Sequence, residues 1–94
     1  MNLSKEQLEQ VELLAYRMFS PANIAVAIEV DVIDFIDEVR TRGTEAHQAF
    51  FRGYMQQQAE LRESIIKAAK NGSNPAQMEL LKLLKKTNQA INYE

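Results

Sequence analysis

Between residues 19 and 40, FSPANIAVAIEVDVIDFIDEVR, apolar positions recur at helical spacing in two short blocks separated by a tight turn. Ile24, Ala25 and Ile28 make one stripe; Val32, Phe35, Ile36 and Val39 make the next, and the two can pack together. Ser20 is placed to cap the first block, with Pro21 at the first helical position, where a missing N–H costs nothing. Asp31 is placed to cap the second, and Glu29 and Val30 form the turn. Phe19 with Ile24, and Val30 with Phe35, stand at the positions of two hydrophobic staples. The pattern predicts a helix-turn-helix; a plain α-helical hairpin has the same spacing.

Upstream, Ser4 and Gln7 can form a capping box and Leu3 can staple to Leu8, ahead of Leu8, Val11, Leu14, Ala15 and Met18 at spacings of three and four. This predicts the outer helix of a three-helix head, with Glu6, Glu9, Glu12 and Arg17 on a solvated face. Thr41, Arg42 and Gly43 break the pattern, and Thr44 restarts it as an N-cap. A long helix follows from Glu45 to about Lys70, interrupted only by Gly53 and roughly 39 Å long at 1.5 Å per residue. It must project beyond so small a head. Asn71, Gly72 and Ser73 end it, with Gly72 suited to a left-handed C′ residue. Asn74 is then expected to cap, and Pro75 to open, a fifth helix carrying Met78, Leu81, Leu84 and Ile91.

The long helix has two apolar stripes: Phe50, Tyr54, Leu61, Ile65 and Ala68, and beside it Phe51, Met55, Ala59 and Ile66. The fifth helix, folding back, can cover only one. Either the other is covered by the head, or Phe51, Met55, Ala59 and Ile66 form an interface between copies, implying a homo-oligomer. The expected fold is therefore all-α: about five helices in one domain, with a helix-turn-helix head at residues 1–43 and a helical hairpin at 44–94.

Ninety-four residues, 46% hydrophobic and 26% charged, suit a single small folded core. Cysteine is absent, which removes thiolate chemistry and disulfides and fits a reducing, cytoplasmic setting. No apolar run approaches the roughly 20 residues that span a bilayer, so no membrane partner is expected. The net charge of −2 conceals a polarity: residues 1–47 hold four basic against nine acidic side chains, residues 48–94 seven against four. An acidic protein can still bind nucleic acid where its cations gather on one surface.

Catalytic constellations are missing. His47 is the only imidazole, with no second histidine a helical turn away, so neither a metal site nor a Ser-His pair is expected. Asp34, Asp37 and Glu38 share a helical face, but one exposed helix makes no cleft. No glycine-rich loop can cradle a phosphate. An enzyme is not expected, and no cofactor.

The run FSPANIAVAIEVDVIDFIDEVR, a glycine-containing spacer, the helix EAHQAFFRGYMQQQAELRESIIKAAKNGS and then NPAQMELLKLLKK together resemble the small terminase subunits of tailed bacteriophages and related prophage helix-turn-helix proteins. Asn23, Ile24, Ala25 and Ile28 match that family's second helix; Phe50, Arg52, Gly53, Ala69, Gly72, Ser73, Ala76 and Leu80 match its later "A..G" and "A..GS..A...L" segments. The resemblance covers most of the chain. It implies a bacterial host cytoplasm and recognition of viral duplex DNA for packaging, by an oligomeric ring that recruits the large terminase subunit.

Two departures bear on DNA binding. Glu29 stands where the family's turn has glycine, so this turn must avoid positive φ or tolerate it at a cost. Asp31, Asp34, Asp37 and Glu38 gather on the outward face of the would-be recognition helix, where a phosphate field repels them. Contact with DNA is then expected to be weak per protomer, through Arg40, Arg42, Arg52, Lys82, Lys85 and Lys86, unless these form a solvated face. The alternative is a protein-interaction adaptor with a degenerate helix-turn-helix, whose acidic helix docks a basic partner.

Overall fold

The computed structural model describes residues 1–94, and all its regular structure is helical. Five helices follow in order: α1 (Lys5–Tyr16), α2 (Pro21–Ala27), α3 (Val32–Arg40), α4 (Glu45–Lys70) and α5 (Asn74–Tyr93). Strands are absent, as the lack of sustained period-two alternation leads one to expect. The chain divides into two compact units, Met1–Gln58 and Ala59–Glu94.

In the first unit the predicted caps start the helices. Ser4 Oγ accepts from the Gln7 amide at 3.0 Å while Gln7 Oε1 accepts from the Ser4 amide at 2.9 Å, a closed capping box. Ser20 Oγ accepts from Asn23 N at 3.2 Å, and Asp31 Oδ2 from Asp34 N at 2.9 Å. Gln7 also donates from Nε2 to the Ile28 carbonyl at 3.1 Å, tying the start of α1 to the end of α2. One staple is looser than expected: Ile24 is fully buried, but the Phe19 ring remains exposed. Met18, at φ 72°, turns the chain just before it.

The core gathers Val11 and Ala15 of α1, Ile24 and Ala25 of α2 with Ile28 behind them, and Phe35 and Val39 of α3. Ala46, Ala49 and Phe50 of α4 complete it. The head therefore runs past the expected boundary at residue 43, because the first turns of α4 cover what three short helices leave open. Gly53 explains how α4 comes so close: a Cβ there would overlap the Glu12 carbonyl oxygen of α1 and meet the Tyr16 amide at 3.0 Å. A residue that reads in the sequence as an interruption of a helix is a point of backbone contact. Gln57 Nε2 donates to the Tyr16 carbonyl at 2.9 Å one turn further on.

In the second unit α4 ends in a Schellman motif. Gly72 has φ 94°, its amide bonds to Ala69 O at 3.1 Å, and Ser73 N bonds to Ala68 O at 3.1 Å. The cap of α5 lies one residue earlier than expected: Ser73 Oγ, not Asn74, accepts from Ala76 N at 3.3 Å, and Asn74 is already helical. The apolar stripe of α5 is also corrected. Ala76, Leu80, Leu83 and Ala90 are half-buried, whereas Met78, Leu81, Leu84 and Ile91 are exposed. The withdrawn residues of α4 in this unit are Ile65, Ala68 and Ala69. Gln77 Nε2, donating to Ala69 O at 3.1 Å, fixes the start of that arrangement. Tyr54 and Leu61, assigned from the sequence to a covered stripe, are exposed as well.

Candidate nucleic-acid interface

The turn between α2 and α3 follows from its hydrogen bonds. Val30 N bonds to Ala25 O at 3.0 Å and Glu29 N to Val26 O at 3.2 Å, the two bonds of a Schellman motif. That motif needs a left-handed residue, and Glu29 supplies it at φ 60°. The turn thus tolerates positive φ rather than avoiding it. α1 ends the same way on Met18, with Phe19 N bonded to Leu14 O and Met18 N to Ala15 O, each at 3.0 Å.

Leaving that turn, α3 presents Phe35 and Val39 to the core and holds Val32 and Ile36 half-buried. Its far end is anchored by a set of bonds that the sequence did not disclose. Thr41 Oγ1 donates to Asp37 O at 2.8 Å, Thr44 Oγ1 to Glu38 O at 2.7 Å, and His47 Nδ1 to Val39 O at 2.7 Å. A carbonyl partner requires the hydrogen on Nδ1. Three of the four terminal carbonyls of α3 are thereby satisfied by side chains. Thr44 also accepts from His47 N at 3.0 Å, so the predicted cap of α4 doubles as a clamp on α3. His47 packs against Phe51 with the rings tilted at 46° and centroids 4.6 Å apart. Only Thr44 as a cap was legible; the clamp depends on which carbonyls the linker returns to.

The outward face of α3 carries Ile33, Asp34, Asp37 and Arg40, which with Ile36 line a shallow open groove. Ile33 is 77% exposed, and nearby in sequence on α2 Val26 is 68% exposed. Glu38, half-buried, lines a second shallow pocket with Asp34, Asp37 and Met1, and has the Met1 amino group 3.7 Å away. Asp31 spends an oxygen on its cap. What meets solvent along α3 is an isoleucine beside two carboxylates, with one arginine at the end.

The expected cations fall into separate settings. Arg40 and Arg42, at the end of α3 and in the linker, are exposed and form no ion pair. Arg52 does not belong with them: its Nε donates to Glu12 Oε1 at 2.7 Å, bridging α4 and α1. Lys82, Lys85 and Lys86 lie on α5 in the second unit, and Lys82 has Glu79 at 3.6 Å. The stripe Phe51, Met55, Ala59 and Ile66 is exposed throughout. No three His, Cys, Asp or Glu side chains gather in a metal-binding group, and no helix is long and apolar enough to cross a membrane. No family model matches the sequence, and no curated protein or solved structure is significantly similar to it.

Proposed function

We propose that this chain is a non-enzymatic helix-turn-helix module of the small-terminase type, working on duplex DNA in a bacterial host cytoplasm as an assembly of copies. The observation that supports it best is the α2–α3 pair: a left-handed turn at Glu29 and a clamped C-terminus hold α3 with one face free. That face cannot bind DNA alone. A carboxylate roughly 6 Å from a phosphate in water costs about 0.7 kcal/mol, so Asp34 and Asp37 together cost roughly a factor of ten in affinity. Arg40 and Arg42 offset part of this, and the remainder must come from several copies binding together. The exposed Phe51 and Met55 offer one surface for assembly, and a large terminase subunit is the partner the resemblance suggests.

The test reverses the charge of the outward face. Asp34→Lys with Asp37→Lys leaves the buried side of α3 untouched, and non-specific DNA affinity per protomer, compared at a dilution where parent and variant are both monomeric, should rise at least tenfold at low salt. The plot of log affinity against log salt should steepen by roughly 2, about 0.9 for each new phosphate contact. If binding is measurable and both quantities stay at the parent values, α3 is not at the DNA.

A second reading is favoured by the exposure of Ile33 and Val26. An apolar side chain among carboxylates suits an adaptor that docks a basic protein partner better than it suits phosphates.

A further inference from the structure

We infer that the groove on α3 is a docking site for α5 of a second copy of this chain, joining copies head to tail. The argument begins with α5. Met78, Leu81, Lys82 and Lys85 are spaced 0, 3, 4 and 7, so they share one helical face, and all four are exposed. Met78 and Leu81 keep 59% and 61% of their surface in water. A ridge that is half apolar and half cationic needs a partner with both an apolar contact and carboxylates. Phosphate satisfies the lysines and wastes the leucine.

The groove on α3 has both properties: Ile33 exposed, Asp34 and Asp37 beside it, and Ile36 at its floor. Charge complementarity extends to the units themselves. Met1–Gln58 holds five basic against nine acidic residues, a net of −4; Ala59–Glu94 holds six against four, a net of +2. Because donor ridge and acceptor groove are different surfaces, the contact is heterologous. Each copy offers one of each, and the series closes into a ring or continues as a filament. A copy whose groove is occupied has the outward face of α3 covered, so this contact and DNA compete for the same surface. The contact itself does not depend on DNA binding, and its test contains no nucleic acid.

The experiment is a charge swap on the full chain, read by light-scattering mass after size exclusion at about 50 mM salt. The parent should exceed its single-chain mass of 10.8 kDa and lose mass as salt rises. Asp34→Lys with Asp37→Lys gives a chain cationic at both ends of the contact; Lys82→Glu with Lys85→Glu gives one anionic at both. Each alone should run as a monomer with unchanged helical circular dichroism, and their equimolar mixture should recover the parental mass. Parental mass in either variant overturns the proposal, because assembly along Phe51 and Met55 is indifferent to both reversals. A mixture that stays monomeric, or a parent that is monomeric at low salt, also overturns it. Should a charge variant lose helicity, Ile33→Thr and Leu81→Thr replace the pair. Each should weaken association about tenfold or more, and an unchanged dissociation constant in both overturns the proposal.

Discussion

At the scale of single residues, backbone geometry separates two positions where the sequence invites the opposite reading. Glu29 sits at φ 60° in a turn whose bonds demand a left-handed residue, and such a residue costs roughly 1–2 kcal/mol unless it is glycine. Glycine carries its own entropic cost in the unfolded chain, about 0.5–1 kcal/mol, so Glu29→Gly should stabilise by about 0.5–1 kcal/mol. Gly53 has ordinary helical backbone and no such need, yet it touches α1. Gly53→Ala would gain helix propensity of about 1 kcal/mol and lose more to overlap with the Glu12 carbonyl, which is backbone and cannot swing away. Urea midpoints for the two variants should move in opposite directions, up for Glu29→Gly and down for Gly53→Ala. A rise in the second would mean that α1 and α4 can separate there without loss. The sequence left open whether the turn at Glu29 takes positive φ, and it did not disclose the contact at Gly53, because nothing in it says which helix crosses α4.

At the scale of elements, what the sequence made plain was whatever is decided locally. Five helices, the capping box at Ser4 and Gln7, the caps at Ser20, Asp31 and Thr44 and the left-handed Gly72 depend on residues within a turn of one another. What it hid was decided across space: which stripe of α5 turns inward, and that α4 supplies core residues to the first unit. The misplaced cap of α5 lies between these cases, since Ser73 and Asn74 are both good caps and adjacent. The hydroxyl that accepts from Ala76 N belongs to Ser73. Ser73→Ala should therefore lower the stability of the second unit by roughly 1 kcal/mol, and Asn74→Ala should leave it within about 0.5 kcal/mol. Thermal melts followed by helical circular dichroism make the comparison, and equal shifts would return the cap to Asn74. The candidate interface shows the same division: the acidity of α3 was visible in its spacing, but not the diversion of Arg52 to Glu12 nor the threonine and histidine clamp.

At the scale of the molecule, burial is uneven in a way that sets both stability and assembly. Of the eleven buried apolar residues, ten lie in Met1–Gln58 and only Ala69 in Ala59–Glu94, and α5 has none. Most helical stability in proteins comes from packing an apolar face, and α5, 20 residues long, buries no residue fully. The amides of α5 should accordingly exchange with solvent through a local opening of lower free energy than the global unfolding that exposes α2 and α3. Hydrogen exchange read by mass spectrometry at peptide resolution distinguishes the two, and equal protection across both units would mean that they open together. Concentration adds a second dimension. A surface covered by another copy gains protection as copies associate, in proportion to the fraction bound. Raising the protein concentration a hundredfold at low salt should therefore slow exchange in peptides containing Leu81 and Leu84, and in those containing Ile33 and Asp34. Peptides containing Val11 and Ala15, already buried within one chain, should not change. If slowing is confined instead to peptides spanning Phe51 and Met55, copies meet along α4, and the exposed ridge of α5 is left without a partner.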